Sequence, residues 1–522
     1  MKLPVGIQNF EKLRAGDYLY IDKTKDIFHL ITEGSVFFLS RPRRFGKSLL
    51  ISTLKALFEG KKDLFEGLFI YDKYSWNEQY PVIKLDWNGI KHTTREEMEQ
   101  GISIFLKQAA DEYQIKLEQE YAVNRFEELI RMLHRKTGRQ VVVLIDEYDM
   151  PLLDSLNESA GKIGKIRDFL QSFYKVLKAA DEHLRFVFLT GVSKFSTASI
   201  FPGLNNIRDI TLSAKYAVLC GYTQEELELY FDPWIKQFVE QQKSTKEDLL
   251  RTIRYWYKGF SWDGVSQVYN PFSTLLLFTE RVIRNYWFET GTPVFLVNLL
   301  KERNEVNLLL EPVQLRESSF SGFDFQTLDA KLLLFQTGYL TVKGIDQDPL
   351  DGRQIYTLGI PNQEVLRSLL EHLVSGYACY PVTDTPMMRG RMLCELLNGN
   401  IAAFEARAKE FFAHVPYQLH IPRETYYRSL LLLWLKLLGF DLEAEAFAGE
   451  GRINAIWTWE NQIVIAEVKY TDSGAPDLLS EETLTRLQER RYHERYAGNG
   501  CRVKLLALAF AGKGIACRLA EL

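Results

Sequence analysis

An eight-residue loop with the sequence RPRRFGKS, at residues 41–48, separates a short apolar run from a stretch with helical periodicity. The apolar run at residues 36–39 is continuous rather than alternating, which is typical of a strand buried on both faces of a parallel sheet. Similar runs occur at residues 82–85, 141–145 and 186–189, with helical stretches between them that include residues 48–58 and 95–135. This alternation predicts a three-layer α/β domain that reaches roughly residue 215.

The residues of this loop suit a phosphate-binding site at the N-terminus of a helix. Backbone N–H groups of a tight loop face the anion there, Lys47 can reach the β- and γ-phosphates, and the Ser48 hydroxyl can bind Mg²⁺. Gly46 completes the G-K-S signature, but Arg41 replaces the first glycine of the P-loop pattern G-x-x-x-x-G-K-[ST]. Because G-K-S occurs often by chance, the tripeptide alone leaves an ordinary surface loop as an equal alternative.

A second element strengthens the prediction from the loop. The apolar strand at residues 141–145 ends in Asp146 and Glu147. The first carboxylate can hold the water shell of Mg²⁺ and the second can polarise an attacking water, although a solvated strand end is the alternative. Both elements occur in order, on the expected secondary structure and about 100 residues apart, so together they predict a P-loop ATPase that binds ATP and Mg²⁺.

Four further polar residues are candidates for the same site. Thr190 and Ser193 follow the buried strand at residues 186–189 and are suited to sensing the γ-phosphate, but an ordinary strand-to-loop turn is an equal alternative. Arg43 and Arg44 lie inside the loop, where they could neutralise phosphate charge or reach a partner. Solvated loop arginines are the alternative for this pair.

The chain of 522 residues exceeds what one hydrophobic core usually organises, so we expect several domains. Helical periodicity with clustered aromatic residues follows the first domain, and then a helix, two short strands and a helix suit a winged-helix unit. The last part has the order helix, three strands, helix, strand. We predict a P-loop domain at residues 1–222, a helical lid at 223–310, a winged-helix-like region at 311–388 and an αβ domain at 389–522.

The last predicted domain contains a candidate metal site. Residues 464–469, with the sequence VIAEVK, form a predicted central strand whose alternation puts Glu467 and Lys469 on one face. Metal-dependent cleavage of a phosphodiester needs carboxylates that hold Mg²⁺ and a lysine that orients water or stabilises charge. Such E-x-K pairs also occur on exposed strand faces, so the pair alone is a weak indication.

The chain resembles a family of prokaryotic proteins that pair an AAA-ATPase-like domain with a C-terminal PD-(D/E)XK nuclease-like domain of restriction-endonuclease-like αβ fold. The resemblance covers nearly the whole chain and is carried by YIDKT at residues 20–24, RPRRFGKS at 41–48, LIDEY at 144–148, TGVSKFS at 190–196, LNN at 204–206, YNPF at 269–272 and YWFETGTP at 286–293. In this family the arginine-bearing loop is the usual form, which implies that Arg41 is compatible with a working ATP site.

Two positions of the nuclease-like domain depart from the pattern that the resemblance implies. The implied site combines Glu424 on a helix, Asn454 at a strand start and the E-x-K strand, but Asn454 stands where the metal-binding aspartate is expected. Asparagine offers Mg²⁺ a neutral carbonyl oxygen, so a metal site of Asn454 and Glu467 has one negative charge fewer. Arg486 stands where a glutamine is expected, in a basic stretch with interleaved glutamates that a solvated helix also explains.

Composition narrows the classes of partner. The net charge of -4 gives no global reason to bind nucleic acid, so such binding would depend on local basic faces. The five cysteines have no C-x-x-C spacing, which argues against a zinc site and a disulfide framework. The N-terminal residues lack the apolar core of a signal peptide, and the apolar segment at residues 430–440 is too short to span a bilayer. We expect a cytoplasmic protein without a membrane partner, and a homo-oligomer is compatible with the sequence.

Three hypotheses of function are open at this point. In the first, the ATPase regulates or moves the nuclease-like domain on nucleic acid, with DNA favoured, and Glu147, Glu467 and Lys469 are the catalytic residues. In the second, the chain is an ATP-gated binding or assembly module whose nuclease fold has lost its chemistry, and Asn454 is the residue that discriminates. The third is a nucleotide-binding protein with no nucleic-acid partner, which the near-neutral charge permits.

Overall fold

The computed structural model describes most of the chain. The described residues are 1–155, 158–194, 206–287, 312–321, 329–378, 391–392, 394–396, 398–413, 423–437, 442–444, 447–448, 451–452, 455–459, 461–472, 474–490, 502–511 and 514–522. Within these ranges, each helix falls short of the combined length and apolar character that crossing a bilayer requires.

The chain divides into two compact units. The first unit contains the described parts of residues 1–291 and 313–365, and the second contains those of residues 292–312 and 366–522. The finer division into four domains stays a prediction.

A parallel sheet of five strands forms the centre of the N-terminal region. Its strands are β1 Val36–Ser40, β2 Val82–Asp86, β3 Val141–Asp146, β4 Leu184–Gly191 and β5 Arg208–Asp209, and their order is β2-β3-β4-β1-β5 with every pairing parallel. All residues of β1 and β3 are buried, as continuous apolar runs predict for a sheet covered on both faces. The predicted α/β architecture of this region is confirmed.

Helices flank this sheet. They are α1 Phe10–Ala15, α2 Thr24–Glu33, α3 Lys47–Phe58, α4 Arg95–Glu112, α5 Ala122–Thr137, α6 Met150–Leu153 and α7 Ala160–Ala179. The helical stretch predicted at residues 95–135 is therefore two helices rather than one. The Thr94 hydroxyl caps the start of α4, and Gly138 ends α5 in the left-handed conformation that favours glycine.

Helices and short antiparallel strands make up the middle of the chain. The helices are α8 Gln224–Tyr230, α9 Asp232–Gln242, α10 Lys246–Tyr257, α11 Pro271–Glu280, α12 Ala330–Thr337 and α13 Gln363–Ala378. Strand β6 Lys258–Phe260 pairs with β7 Val268–Tyr269. Strands β8 Val313–Arg316, β9 Thr341–Gln347 and β10 Gln354–Gly359 form an antiparallel sheet in the order β8-β10-β9. The predicted order of helix, hairpin and helix is present, and β8 is an additional strand that the sequence pattern does not predict.

The second unit is built on a mixed sheet of five strands. Its helices are α14 Ile401–Ala413, α15 Glu424–Leu437 and α16 Pro476–Glu489, and its strands are β11 Leu442–Ala444, β12 Phe447–Ala448, β13 Gly451–Arg452, β14 Ala455–Trp459, β15 Gln462–Tyr470, β16 Arg502–Ala511 and β17 Gly514–Glu521. The sheet order is β11-β14-β15-β16-β17, and only the pair β15 and β16 is parallel among its described strands. Helix α16 lies between these parallel strands in sequence, as a crossover connection requires. It begins at Pro476, and proline is a residue that the first turn of a helix favours.

Candidate functional site

The first candidate site lies where β1 continues into α3 through the loop at residues 41–46. Gly46 is the N-cap of α3 and has a φ of 87°, a left-handed conformation that glycine adopts at little cost. Arg44 also has a positive φ, of 68°. Sharp turns of this kind at a helix N-terminus point backbone N–H groups toward a bound anion.

Lys47, the first residue of α3, is 3% exposed. Its ammonium donates hydrogen bonds to the carbonyl oxygens of Arg41 at 3.1 Å and Pro42 at 3.2 Å. The same nitrogen lies 3.6 Å from Oε1 of Glu147, the residue that follows β3. The loop therefore holds a buried positive charge next to one of the two predicted carboxylates.

Asp146, the last residue of β3, is fully buried. Its Oδ1 accepts the Glu147 N–H at 3.1 Å, whereas its Oδ2 has no hydrogen-bond partner among the described residues. Burial raises the pKa of Asp146 to about 6, a hydrogen bond from Ser48 opposes the shift, and the charge of Glu147 adds to it. A buried carboxylate oxygen without a partner, close to a serine hydroxyl, suits a hard cation such as Mg²⁺.

Strand β4 lies between β1 and β3, so its C-terminal end adjoins both the loop and the carboxylates. Thr190 is level with Leu39 of β1 and is fully buried. Its hydroxyl has no hydrogen-bond partner within the described parts of the chain. Ser193 is also buried, but its hydroxyl donates to Oδ2 of Asp149 at 2.6 Å. Of the two predicted sensing residues, Thr190 therefore has the hydroxyl that can bind a ligand.

Asp149 is a residue of this region that the sequence analysis missed. Its buried carboxylate also accepts the N–H groups of Val192 at 3.1 Å and Ser193 at 2.6 Å, which fixes the segment after β4. Burial raises its pKa to about 6, and the charge of Glu147 adds to the shift. The only signal in the sequence is its position three residues after Asp146, which no general pattern marks as functional.

The two remaining arginines of the loop differ in exposure. Arg43 is exposed. The Arg44 guanidinium lies 3.7 Å from the centre of the Phe272 ring, in the first turn of α11. Arg44 and Phe272 both line a cavity of about 310 Å³ beside the loop, whereas Arg43 does not.

This cavity brings together most of the predicted nucleotide-site residues. Gly46, Lys47, Ser48 and Glu147 line it. Its other walls come from the N-terminal segment, from the segment before α8 and from α11, and they include Ile7, Leu19, Tyr20, Ile21, Tyr222 and Leu275. A cavity of this size, lined by both polar and apolar residues, suits a nucleotide.

A partly buried ion pair lies beside this cavity. The Lys23 ammonium donates to both carboxylate oxygens of Glu226 at 2.7 Å. Lys23 lines the cavity, and Glu226 belongs to the capping box at the start of α8. The pair ties the N-terminal segment to α8, a long-range contact for which the sequence contains no signal.

A second candidate site lies on β15 of the second unit. Glu467 is 4% exposed, and its Oε1 accepts a hydrogen bond from Arg486 at 2.7 Å. The Lys469 ammonium lies 3.5 Å from the same oxygen and donates to both oxygens of Glu424 at 3.1 Å. The predicted residues Glu424, Glu467 and Lys469 are therefore in contact, and Arg486 joins them.

The second site fits a divalent cation only in part. Oε2 of Glu467 is buried and has no hydrogen-bond partner among the residues described, so it could serve as a metal ligand. However, the charges of Lys469 and Arg486 balance those of Glu424 and Glu467, and a metal ion would have to compete with them. Asn454, the remaining predicted ligand, lies outside the described residues.

Both candidate sites fall in regions that match known families. The chain is similar to a family described as "Predicted AAA-ATPase" over residues 4–201 and to the PD-(D/E)XK nuclease superfamily over residues 422–518. It is also 37% identical over 519 residues to the "Uncharacterized protein in vnfD 5'region" of Azotobacter chroococcum mcd 1, and the match covers 98% of this chain and 96% of that protein. The resemblance noted in the sequence is thus confirmed, and the chain belongs to the family that combines a predicted AAA-ATPase domain with a C-terminal domain of the PD-(D/E)XK nuclease superfamily.

Proposed function

We propose that the first unit binds ATP with Mg²⁺ and hydrolyses it. The observation that carries this proposal is the unpaired Oδ2 of buried Asp146 close to Ser48, beside a loop that holds the Lys47 ammonium. Lys47 and the N–H groups of the loop bind the phosphates, and Ser48 and Asp146 hold the cation, which neutralises phosphate charge. Glu147 orients the attacking water, and Thr190 contacts the terminal phosphate.

The proposal is tested by phosphate release from ATP in the presence of Mg²⁺. We expect turnover by the wild-type chain and a loss of at least roughly 100-fold in Lys47→Ala, because a phosphate-binding cation is removed. Arg14→Gln is the matched control, since the Arg14 guanidinium also binds carbonyl oxygens, those of Leu64 and Glu66, but does not line the cavity. Equal rates in wild type and Lys47→Ala would overturn the proposal.

For the second unit we propose action on nucleic acid, with DNA favoured, regulated by the ATPase. The membership of residues 422–518 in the nuclease superfamily and the contact of Glu467 with Lys469 support this proposal. Glu467 supplies a metal-facing oxygen and Lys469 a charge for the scissile phosphate. Cleavage of a linear duplex with ATP and Mg²⁺ by wild type but not by Glu467→Gln is the expected result, whereas equal cleavage by both would contradict it.

A second candidate function is supported by the contact between Arg486 and Glu467. A carboxylate that is paired with an internal cation at 2.7 Å is less available to a metal. The chain would then be an ATP-gated binding or assembly module with an inactive nuclease fold. If Asn454→Asp cleaves DNA with Mg²⁺ and the parent chain only binds it, this second function is the correct one.

A further inference from the structure

Arg41, at the position where the P-loop pattern has glycine, is the most enclosed cation of the first unit's loop, with no measurable exposure. Nη1 of its guanidinium donates to the carbonyl oxygens of Ser40 and Thr211, both at 2.9 Å, and Nη2 donates to that of Tyr216 at 3.1 Å. The guanidinium carbon lies 3.9 Å from the centre of the Trp262 ring. The planar fork of arginine is used here to join segments that are far apart in sequence.

The backbone at Arg41 has no need for glycine. Within the described loop at residues 41–46, the positions with positive φ are Arg44 and Gly46. Arg41 precedes Pro42, which restricts it to extended conformations that any residue adopts. Its N–H donates to the Gly191 carbonyl at 3.2 Å, continuing the pairing of β1 with β4. The glycine of the usual pattern is therefore replaced without backbone strain, and the side chain gains a separate role.

Two neighbouring loop residues, Pro42 and Phe45, also pack against the middle of the chain. Phe45 is buried edge-on against Phe260 and Trp262, with ring centres 4.9 Å and 5.3 Å apart. A Cβ placed on Gly338, just after α12, would lie 2.9 Å from the Pro42 ring. Trp262 thus contacts both Arg41 and Phe45, so one face of the loop is supported at several points.

We propose that Arg41 is a positioning residue for the phosphate-binding loop, acting through Lys47. Its guanidinium fixes the loop to the Thr211 and Tyr216 carbonyls and to Trp262, and its own carbonyl oxygen then holds the Lys47 ammonium at 3.1 Å. The chain replaces the glycine by a buried arginine that sets where the lysine stands. This inference rests on the proposed nucleotide site, because positioning Lys47 matters only if Lys47 binds phosphate.

The test is a double-mutant cycle on affinity for the Mg²⁺ complex of a fluorescent ATP analogue, using the full chain. Arg41→Gln removes the charge and most of the carbonyl contacts, and we expect binding about tenfold weaker. Because Arg41 acts through Lys47, the Arg41→Gln, Lys47→Ala double variant should bind no more weakly than Lys47→Ala alone. Arg41→Gly should also bind about tenfold more weakly than wild type, although it restores the residue of the usual pattern.

The outcomes separate this inference from the proposed function. Wild-type affinity in Arg41→Gln, or losses that multiply in the double variant, would overturn the positioning role while leaving the nucleotide site intact. Wild-type affinity in Lys47→Ala would overturn the nucleotide site itself. If Arg41→Gln does not fold, Arg41→Lys takes its place in the same cycle. We expect Arg41→Lys to bind about threefold more weakly than wild type, and the Arg41→Lys, Lys47→Ala double variant to bind no more weakly than Lys47→Ala alone. Wild-type affinity in Arg41→Lys would overturn the inference. Arg14→Gln should retain wild-type affinity throughout.

Discussion

Glu147 has a left-handed backbone, with a φ of 52°, and its carboxylate lies 3.6 Å from the Lys47 ammonium. Non-glycine residues in this conformation are strained and cluster at functional sites. We predict that Glu147→Gln binds Mg²⁺ and ATP within about threefold of wild type but hydrolyses ATP roughly 100-fold more slowly, because a water-orienting carboxylate is lost. Single-turnover hydrolysis checks this prediction, with Glu182→Gln as an exposed control. A wild-type rate in Glu147→Gln would refute the role.

The pKa of Asp146, raised by burial to about 6, gives a prediction for stability. A carboxyl group whose pKa is higher in the folded chain than in the unfolded chain stabilises the fold at low pH. That contribution is lost as pH rises from about 4 through 6. Asp146→Asn has no such group, so its melting temperature should rise relative to wild type over this window by an amount corresponding to about 2 kcal/mol. If the difference in melting temperature between Asp146→Asn and wild type stayed constant from pH 4 to 7, the prediction would be contradicted.

Arg486 competes with a divalent cation for Glu467 if the second site binds metal. We predict that Arg486→Gln binds Mn²⁺ roughly tenfold more tightly than wild type, since it removes a positive charge 2.7 Å from the carboxylate. Arg518→Gln is the control, because Arg518 pairs with Asp477 and Glu481 near the start of α16, the helix that also contains Arg486. Calorimetry without nucleotide measures this affinity. Identical Mn²⁺ binding by Arg486→Gln and Arg518→Gln would rule the competition out.

At the scale of elements, the sequence predicts the positions of the buried strands but not their order in the sheet. Continuous apolar runs identify β1, β2, β3 and β4. The G-K-S loop after β1 identifies Lys47 as a candidate, and the polar residues that follow the apolar run of β3 identify Asp146 and Glu147. The sheet order cannot be obtained in this way, because periodicity contains no information about which strands are neighbours. The insertion of β4 between β1 and β3 brings Thr190 to the site, whereas the sequence leaves Thr190 as a candidate with an ordinary strand-to-loop turn as an equal alternative.

The break between α4 and α5 has a physical cause that is not evident from the sequence. Helix α4 ends at Glu112, and Gln114 then adopts a left-handed conformation with a φ of 53°. This turn allows Ile115 to be buried, 5% exposed. The cost of the left-handed glutamine is offset by apolar burial. Neither glycine nor proline marks the position, so the usual signals of helix termination are missing.

Glu364, in the first turn of α13, joins this helix to the segment after α11. Its buried Oε1 accepts the N–H groups of Tyr286 at 2.8 Å and Trp287 at 2.9 Å. Glu364→Ala leaves two buried donors unsatisfied, so we predict a loss of about 3 kcal/mol in stability. Thermal unfolding followed by circular dichroism measures it, with Glu371→Ala on the same helix as the control. Equal melting temperatures for both variants would contradict the prediction.

At the scale of the whole molecule, the sequence predicts the two enzyme-like domains better than the connections within them. The motifs at residues 41–48 and 464–469 identify both sites, because strand and helix termini place side chains locally. The contacts of Arg41 with Tyr216 and Trp262 join residues more than 170 apart in sequence. Such contacts depend on tertiary packing, which local patterns do not encode. In the sequence Arg41 is a departure from the P-loop pattern, whereas in the structure its contacts stabilise the loop.

We propose that the first unit contains an Mg²⁺-dependent ATP site in which Lys47 and Asp146 are the principal residues. Calorimetric titration of the full chain with the Mg²⁺ complex of a non-hydrolysable ATP analogue tests it most directly. We predict saturable 1:1 binding by the wild-type chain and affinity at least roughly tenfold weaker in Lys47→Ala and in Asp146→Asn. Equal affinity in all three chains, or no binding by the wild type, would contradict the claim.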